Sequence, residues 1–207
     1  MIEKTELIKE YYEHRIKNGK EDYQIVGWES PEAQKARFDV LVRNIPFKGK
    51  KILDVGCGVG SLLGYLQSEN AAGEYTGIDI LPGMIEEARK RHPGARFIIG
   101  DVLSEKIFPS LSFDIIISSG LFNLNMGDNE GFLSEVFQKF CDLSRSTVAL
   151  NLLHVRSPDR EDKYYYYHPD EVKEMILRIA PDKPEVTIIE EYLPNDFTVI
   201  CKKAGPG

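Results

Sequence analysis

Residues 52–61, ILDVGCGVGS, place the strongest constraint on how this chain folds. The first residues of the stretch are apolar, as in a buried strand, and three glycines follow at alternate positions before a segment with the apolar spacing of a helix. Glycine lets a backbone approach a ligand closely, and the first turn of a helix offers unpaired N–H groups. The stretch therefore predicts a strand, a glycine turn and a helix that together hold a ligand.

The remainder of the chain continues this alternation of strands and helices. Strands are predicted at 51–55, 75–80, 97–99, 113–118 and 147–153, separated by segments that include helices with one apolar face. Such alternation is typical of an α/β fold in which helices cover both faces of a parallel sheet. Two more strand-like segments, 186–191 and 197–201, are joined by a short turn, which predicts a hairpin and an antiparallel last strand.

Two helices are predicted before the first strand. Residues 4–17 have helical apolar spacing, and this helix either forms a lid over the ligand site or docks on the sheet. A second helix begins after Ser30, a capping residue that is followed by Pro31. We therefore expect an N-terminal helical cap or lid at 1–48, a main domain at 49–203 and a disordered tail at 204–207.

Composition limits the classes of partner. The net charge of −7 argues against a broad nucleic-acid surface, although a local basic patch remains compatible with it. No apolar segment approaches the length that spans a bilayer, and the charged N-terminus lacks the apolar core of a signal peptide, so we expect a cytoplasmic protein that does not enter a membrane. The cysteines show no metal-ligand spacing, and no metal site is predicted.

Three features of the glycine turn narrow the choice of ligand. Its spacing is GxGxG, and Ser61 stands where the dinucleotide pattern has its third glycine. Asp54, just before the turn, would repel a pyrophosphate but suits a ligand with positive charge. Asp79, at the end of the next predicted strand, can accept hydrogen bonds from both hydroxyls of a ribose.

Four segments in this order, DVGCGVGS, GIDILPGMIEEAR, FIIGDVL and FDIIISSGLFN, resemble the motifs of class I S-adenosylmethionine-dependent methyltransferases over residues 50–203. The resemblance implies a Rossmann-like, seven-stranded, mostly parallel sheet with an antiparallel last strand and an N-terminal helical extension. It also implies S-adenosylmethionine as the cofactor, S-adenosylhomocysteine as the product, and methyl transfer by in-line displacement. The acceptor atom, O, N or C, is not indicated.

The resemblance also implies which residues bind the cofactor. By position in the motifs, Asp54, Gly56 and Gly58 would approach the methionine part of the cofactor, and Asp79 would approach its ribose. The residues near the adenine would be Ile80, Met84, Asp101 and Val102. Ser118 and Ser119 would face the sulfonium. The upstream segment GWESPEAQKARF resembles segments that close over the methionine end in small-molecule enzymes of this class. Arg37 would then pair with the cofactor carboxylate, or else be a solvated helix arginine, and Trp28 would line the pocket or serve packing alone.

The acceptor and the catalytic residue are less well marked. His154, at the end of the fifth predicted strand, is a weak candidate for a base and for substrate binding, with a hydrogen-bonded structural histidine as the alternative. Asn123, after the fourth strand, is a candidate for substrate binding. The Asp/Asn-Pro-Pro-Tyr/Phe motif of amino-directed DNA and many protein methyltransferases is missing, which favours a small-molecule acceptor.

Three other functions remain open from the sequence. They are an RNA or protein methyltransferase of the same fold, a catalytically inactive cofactor-binding partner protein, and a nicotinamide oxidoreductase. Binding of S-adenosylhomocysteine in preference to NAD would exclude the last of them, and methyl incorporation into macromolecules would favour the first. The sequence does not indicate an oligomeric state.

Overall fold

A computed structural model of the protein describes residues 2–18, 21–104, 107–180 and 183–203, so the predicted tail at 204–207 lies outside the described residues. The helices are α1 (Ile2–Asn18), α2 (Asp22–Ile25), α3 (Pro31–Asn44), α4 (Ser61–Ser68), α5 (Pro82–Arg91), α6 (Asn129–Leu143) and α7 (Pro169–Ile179). The strands are β1 (Lys51–Val55), β2 (Glu74–Asp79), β3 (Arg96–Ile99), β4 (Phe113–Ser119), β5 (Ser144–Leu153), β6 (Glu185–Ile189) and β7 (Asp196–Lys202).

The strands form one sheet of seven in the order β3-β2-β1-β4-β5-β7-β6. Strand β7 runs antiparallel to β5 and β6, and the other neighbouring pairs are parallel. This arrangement confirms the predicted Rossmann-like sheet with an antiparallel last strand. The strand order reverses at β1, between β2 and β4, and ligands of open α/β sheets bind beyond the carboxyl ends of the strands at such a point.

Two apolar clusters cover the two faces of the sheet. One contains Phe137 and Phe140 of α6 with Ile176 of α7, and the other contains Phe38 and Leu41 of α3 with side chains of α4 and α5. Helix α3 begins as predicted, because the Ser30 Oγ accepts a hydrogen bond from the Ala33 N–H at 3.0 Å. Helix α3 therefore packs as part of the main core, although it lies within the predicted 1–48 extension.

Helices α1 and α2 lie over the carboxyl-terminal edge of the sheet. A small apolar cluster joins Ile25 of α2 to Leu81 and Met84, and Ile8 and Tyr12 of α1 pack against it. The segment 21–29, which lies between the two predicted N-terminal helices, contains the single turn of α2. Within the described ranges, no helix combines the length and the apolar composition that crossing a membrane requires.

Candidate active site

A cavity of about 380 Å³ lies between α1 and the carboxyl ends of β1, β2 and β4. Its walls come from the glycine turn, the loops that follow β3 and β4, and the N-terminal helices. Most of the predicted cofactor residues line it together, namely Trp28, Asp54, Gly56, Gly58, Asp79, Ile80, Met84, Asp101, Val102 and Ser119. The fold thus brings residues that are far apart in sequence to one site.

The glycine turn is built so that no side chain fills the cavity floor. Gly56 and Gly58 have φ angles of +72° and +53°, in the left-handed region that favours glycine. A Cβ on Gly58 would lie 2.9 Å from Val26 Cγ1, and one on Gly56 would lie 3.3 Å from Leu121 Cδ1. The Gly56 N–H donates to the Ile78 carbonyl at 2.9 Å, which ties the turn to β2. At Gly56 and Gly58 the turn therefore presents backbone, rather than side chains, to a ligand.

Replacing Gly58 by alanine is expected to weaken S-adenosylhomocysteine binding about tenfold, because the added methyl group must displace Val26 at the cavity wall. Gly94→Ala is the matched control, since Gly94 also has a positive φ, +91°, but a Cβ there meets open space. Both variants should lose about 1–2 kcal/mol of stability from backbone strain. Calorimetric titration and thermal unfolding separate the two effects, and equal ligand affinity in both variants would contradict the expectation.

The Asp79 carboxylate is held in place by the backbone. Its two oxygens accept hydrogen bonds from the Gly58 N–H at 3.0 Å and from the Leu81 N–H at 2.9 Å. Burial raises the pKa of Asp79, and these backbone donors oppose the rise. Because a carboxylate offers about four lone-pair positions, both oxygens keep capacity for further donors. Asp79 is thus oriented to accept from a pair of hydroxyl groups.

Asp54 is a buried carboxyl with one neutral partner identified. Its Oδ2 accepts a hydrogen bond from the Tyr75 hydroxyl at 2.6 Å. Burial raises the pKa of Asp54 to about 7, the Tyr75 hydrogen bond lowers it, and the charge of Asp79 raises it. A cationic group placed beside Asp54 would favour its ionised form, so the site fits a ligand that carries an ammonium or sulfonium.

Two polar side chains that line the cavity each have an atom without a partner. The Gln34 Nε2 and the Ser119 Oγ are buried and make no hydrogen bond. Because buried polar groups are costly when unpaired, both atoms are available to hydrogen-bond a ligand in the cavity. The sequence analysis did not assign Gln34 to the site. The one feature that could have indicated it is its position on α3, one helical turn before the candidate residue Arg37.

The structure does not bring Arg37 and Ser118 to the cavity. The Arg37 guanidinium is buried against Asp196, so it is not a solvated helix arginine, and it does not line the cavity. The Ser118 side chain is fully buried, and its Oγ donates to the Val55 carbonyl at 2.9 Å. Because successive side chains of a strand point to opposite faces, only Ser119 of the pair reaches the cavity.

The two candidate substrate residues also lie outside the cavity lining. His154 Nε2 is 2.9 Å from Glu190 Oε1, and its Nδ1 accepts a hydrogen bond from the Arg156 N–H at 3.1 Å. Both ring nitrogens are therefore engaged, as the structural alternative for this histidine requires. Asn123 lies beside Gly120 and has a buried Oδ1 without a partner. Its role in substrate binding stays a prediction.

Apolar side chains that sequence reasoning had not assigned to the site form another wall. They come from α1, from the segment between β4 and α6, and from the first turn of α6, namely Ile8, Tyr12, Leu121, Leu124, Met126 and Phe132. Among the described residues that line the cavity there is no Lys, Arg or His. The charged side chains that do line it are acidic, and they include Asp54, Asp79 and Glu135. The described part of the chain contains no group of three or more His, Cys, Asp or Glu suited to a metal ion.

The chain is similar to known methyltransferases. Residues 52–140 match a family model described as a methyltransferase domain. The chain is 28% identical to the demethylmenaquinone methyltransferase of Chlorobaculum parvum, over 99% of this chain and 82% of that protein. It is 42% identical to the aklanonic acid methyltransferase of Streptomyces over 36% of each chain.

A solved structure shares the fold. The magnesium protoporphyrin IX methyltransferase of Synechocystis PCC 6803, crystallised with S-adenosylmethionine, aligns with a TM-score of 0.67 at 16% identity, over 98% of this chain and 97% of that one. The fold is thus the one seen in Rossmann-like methyltransferases. The family-model match over residues 52–140 and the methyltransferase relatives together support a class I S-adenosylmethionine-dependent methyltransferase.

Proposed function

We propose that the protein transfers the methyl group of S-adenosylmethionine to a small acceptor that carries no negative charge and is largely apolar. The observation that carries the choice of acceptor is the lining of the cavity, which combines acidic residues at the strand ends with an apolar wall from α1 and the segment after β4. An anionic acceptor would lack a cationic partner among the described lining residues, and the carboxylates would repel it.

The residues of the cavity fit the cofactor. We assign Asp79 to the ribose hydroxyls, Asp54 to the cationic methionine end and the Gln34 amide to the carboxylate, with Asp101 and Val102 at the adenine. The Leu103 N–H donates to Asp101 Oδ1 at 2.9 Å, which fixes that carboxylate. When bound, S-adenosylmethionine supplies a methyl group activated on a sulfonium. We assign no metal to this reaction.

The chain's own contribution to the reaction is orientation and the exclusion of water. Helices α1 and α2 cover the cavity through the apolar cluster around Ile25, Leu81 and Met84. We therefore limit the proposed cap to α1 and α2, since α3 packs in the core. We assign no proton transfer to His154, because both of its ring nitrogens are engaged outside the cavity lining.

Methyl transfer to matched acceptors tests this proposal. Cofactor labelled in the methyl group is supplied with pairs of aromatic acceptors that share one skeleton and one hydroxyl, with and without an added carboxylate. We expect the uncharged member to react with a kcat/KM at least about tenfold higher, because the described lining residues offer the carboxylate no cation. A preference for the carboxylate, or label found only in RNA or protein, would refute the proposed acceptor.

A further inference from the structure

We propose that the buried ion pair of Arg37 and Asp196 is a positioning device that holds Trp28 as a wall of the cavity. The pair itself does not line the cavity, whereas Trp28 does. The inference rests on the proposed function only in taking the cavity as the site where the ligands bind. Arg37 and Asp196 are therefore positioning residues, which act on the reaction through the tryptophan.

The ion pair is fixed in both position and plane. Arg37 and Asp196 are 2% and 1% exposed. The Arg37 Nε donates to Asp196 Oδ1 at 3.1 Å, and its Nη2 donates to Asp196 Oδ2. The Nη1 donates to the Ala33 carbonyl at 3.0 Å. Three nitrogens of the guanidinium are thus anchored, so its flat face has a defined direction.

That flat face supports Trp28. The Arg37 Cζ lies 3.9 Å from the centre of the indole ring, at cation–π distance. Elsewhere the same ring packs against Gly120, where a Cβ would lie only 3.0 Å from Trp28 Cζ2. Gly120 follows Ser119, whose unpaired hydroxyl lines the cavity. The indole is therefore held between Arg37 and the backbone that carries this hydroxyl.

A contribution to folding stability does not by itself explain why Arg37 and Asp196 form a buried ion pair. Removing two charges from water costs about as much as their attraction returns, and apolar replacements of buried pairs are often neutral or stabilising. Trp28 lies in the connection between α2 and α3, outside regular secondary structure. Asp196 begins β7 and pairs with Leu153 at the end of β5. The pair thus fixes a ring in a loop relative to the strands of the sheet.

The single tryptophan of the chain allows a direct test. In the ligand-free protein, Arg37→Met should shift the Trp28 emission to longer wavelength and increase its quenching by acrylamide, because the ring loses its support. Arg43→Met is the matched control, since Arg43 lies on the same helix with its side chain 77% exposed. Far-UV circular dichroism monitors the fold. Unchanged Trp28 emission in a folded Arg37→Met protein would overturn the inference.

Kinetics then test whether Arg37 acts through Trp28. Arg37→Lys keeps the buried charge but loses the planar fork, and we expect kcat/KM for the acceptor to fall about tenfold while S-adenosylhomocysteine affinity changes less than threefold. In a Trp28→Phe background the same substitution should cost less than twofold. Equal losses in both backgrounds would refute the mechanism. Should Arg37→Met not fold, the emission of Arg37→Lys and Asp196→Asn decides the question by the same criterion.

The two proposals can fail separately. Trp28 emission without ligand reports on the ion pair whatever the cavity binds. S-adenosylhomocysteine titration of the wild-type protein reports on the cofactor site whatever the ion pair does. Suppose that Arg37→Met shows the expected shift of Trp28 emission but the wild-type protein does not bind S-adenosylhomocysteine. That result would refute the proposed function and would still support the inference that the ion pair positions Trp28.

Discussion

Replacing Asp79 by asparagine is expected to weaken S-adenosylhomocysteine binding by about 100-fold. The carboxylate is oriented by the Gly58 and Leu81 N–H groups and keeps acceptor capacity for two hydroxyls. Each hydrogen bond to a charged acceptor contributes about 1.5–3 kcal/mol, and an amide provides only one acceptor oxygen of neutral character. Isothermal titration calorimetry at pH 8 measures the loss directly.

Asp142→Asn is the matched control for this substitution, because Asp142 is exposed near the end of α6, away from the cavity. Its affinity for S-adenosylhomocysteine should equal that of the wild-type protein. Thermal unfolding without ligand shows how much of the effect of Asp79→Asn arises from the two loops that Asp79 holds. Wild-type affinity in a folded Asp79→Asn protein would remove Asp79 from the ribose site.

The affinity for S-adenosylhomocysteine should rise with pH by about tenfold per unit below pH 7 and level off above it. In the ligand-free protein burial raises the pKa of Asp54 to about 7, so at lower pH this carboxyl is protonated. A bound ammonium favours the carboxylate, and binding must then release a proton. Titrations between pH 5.5 and 8.5, in buffers that differ in ionisation enthalpy, measure both the affinity and the proton.

The same pKa has a consequence for stability. An aspartate in an unfolded chain has a pKa of about 3.9. Because the pKa of Asp54 is higher in the folded protein, its contribution to stability is full below about pH 4 and is lost as the pH rises toward 7. Ligand binding should restore part of that loss near neutral pH. The ligand-induced shift of the unfolding temperature should therefore increase over this range.

Two variants separate Asp54 from other titrating groups. Tyr75→Phe removes the hydroxyl that lowers the pKa of Asp54, so the break in the affinity profile should move to higher pH. Asp54→Asn cannot titrate, and its profile should be flat at a reduced affinity. A wild-type profile that persists in Asp54→Asn would assign the pH dependence to another group.

The sheet and the floor of the site could be predicted from the sequence because their signals are local. Asp54 lies near the end of the first apolar strand and the glycine turn follows it directly, while Asp79 ends the next strand. Parallel strands bring their carboxyl ends to one edge, so the alternation of elements already places these residues together. The antiparallel direction of β7 could be predicted because only a short turn joins it to the preceding strand.

The sequence does not show the placement of side chains whose partners are distant in sequence or whose direction depends on the sheet. Arg37 meets Asp196 across 159 residues, and no local pattern indicates that pairing. Ser118 and Ser119 end a strand that is buried on both faces, so the sequence does not show which of them points to the cavity. The sequence also does not decide the position of α1, because an amphipathic helix can equally well form a lid over the site or dock on the sheet.

Different walls of the cavity come from different segments of the chain, and this has a practical consequence for protein engineering. The residues that we assign to ribose and adenine lie between Asp79 and Val102, inside the region that matches the methyltransferase domain model. The α1 wall, with Ile8 and Tyr12, lies outside that region. Under the proposed function, exchanging the short α1 segment is expected to alter acceptor preference while the residues assigned to the methyl donor remain untouched.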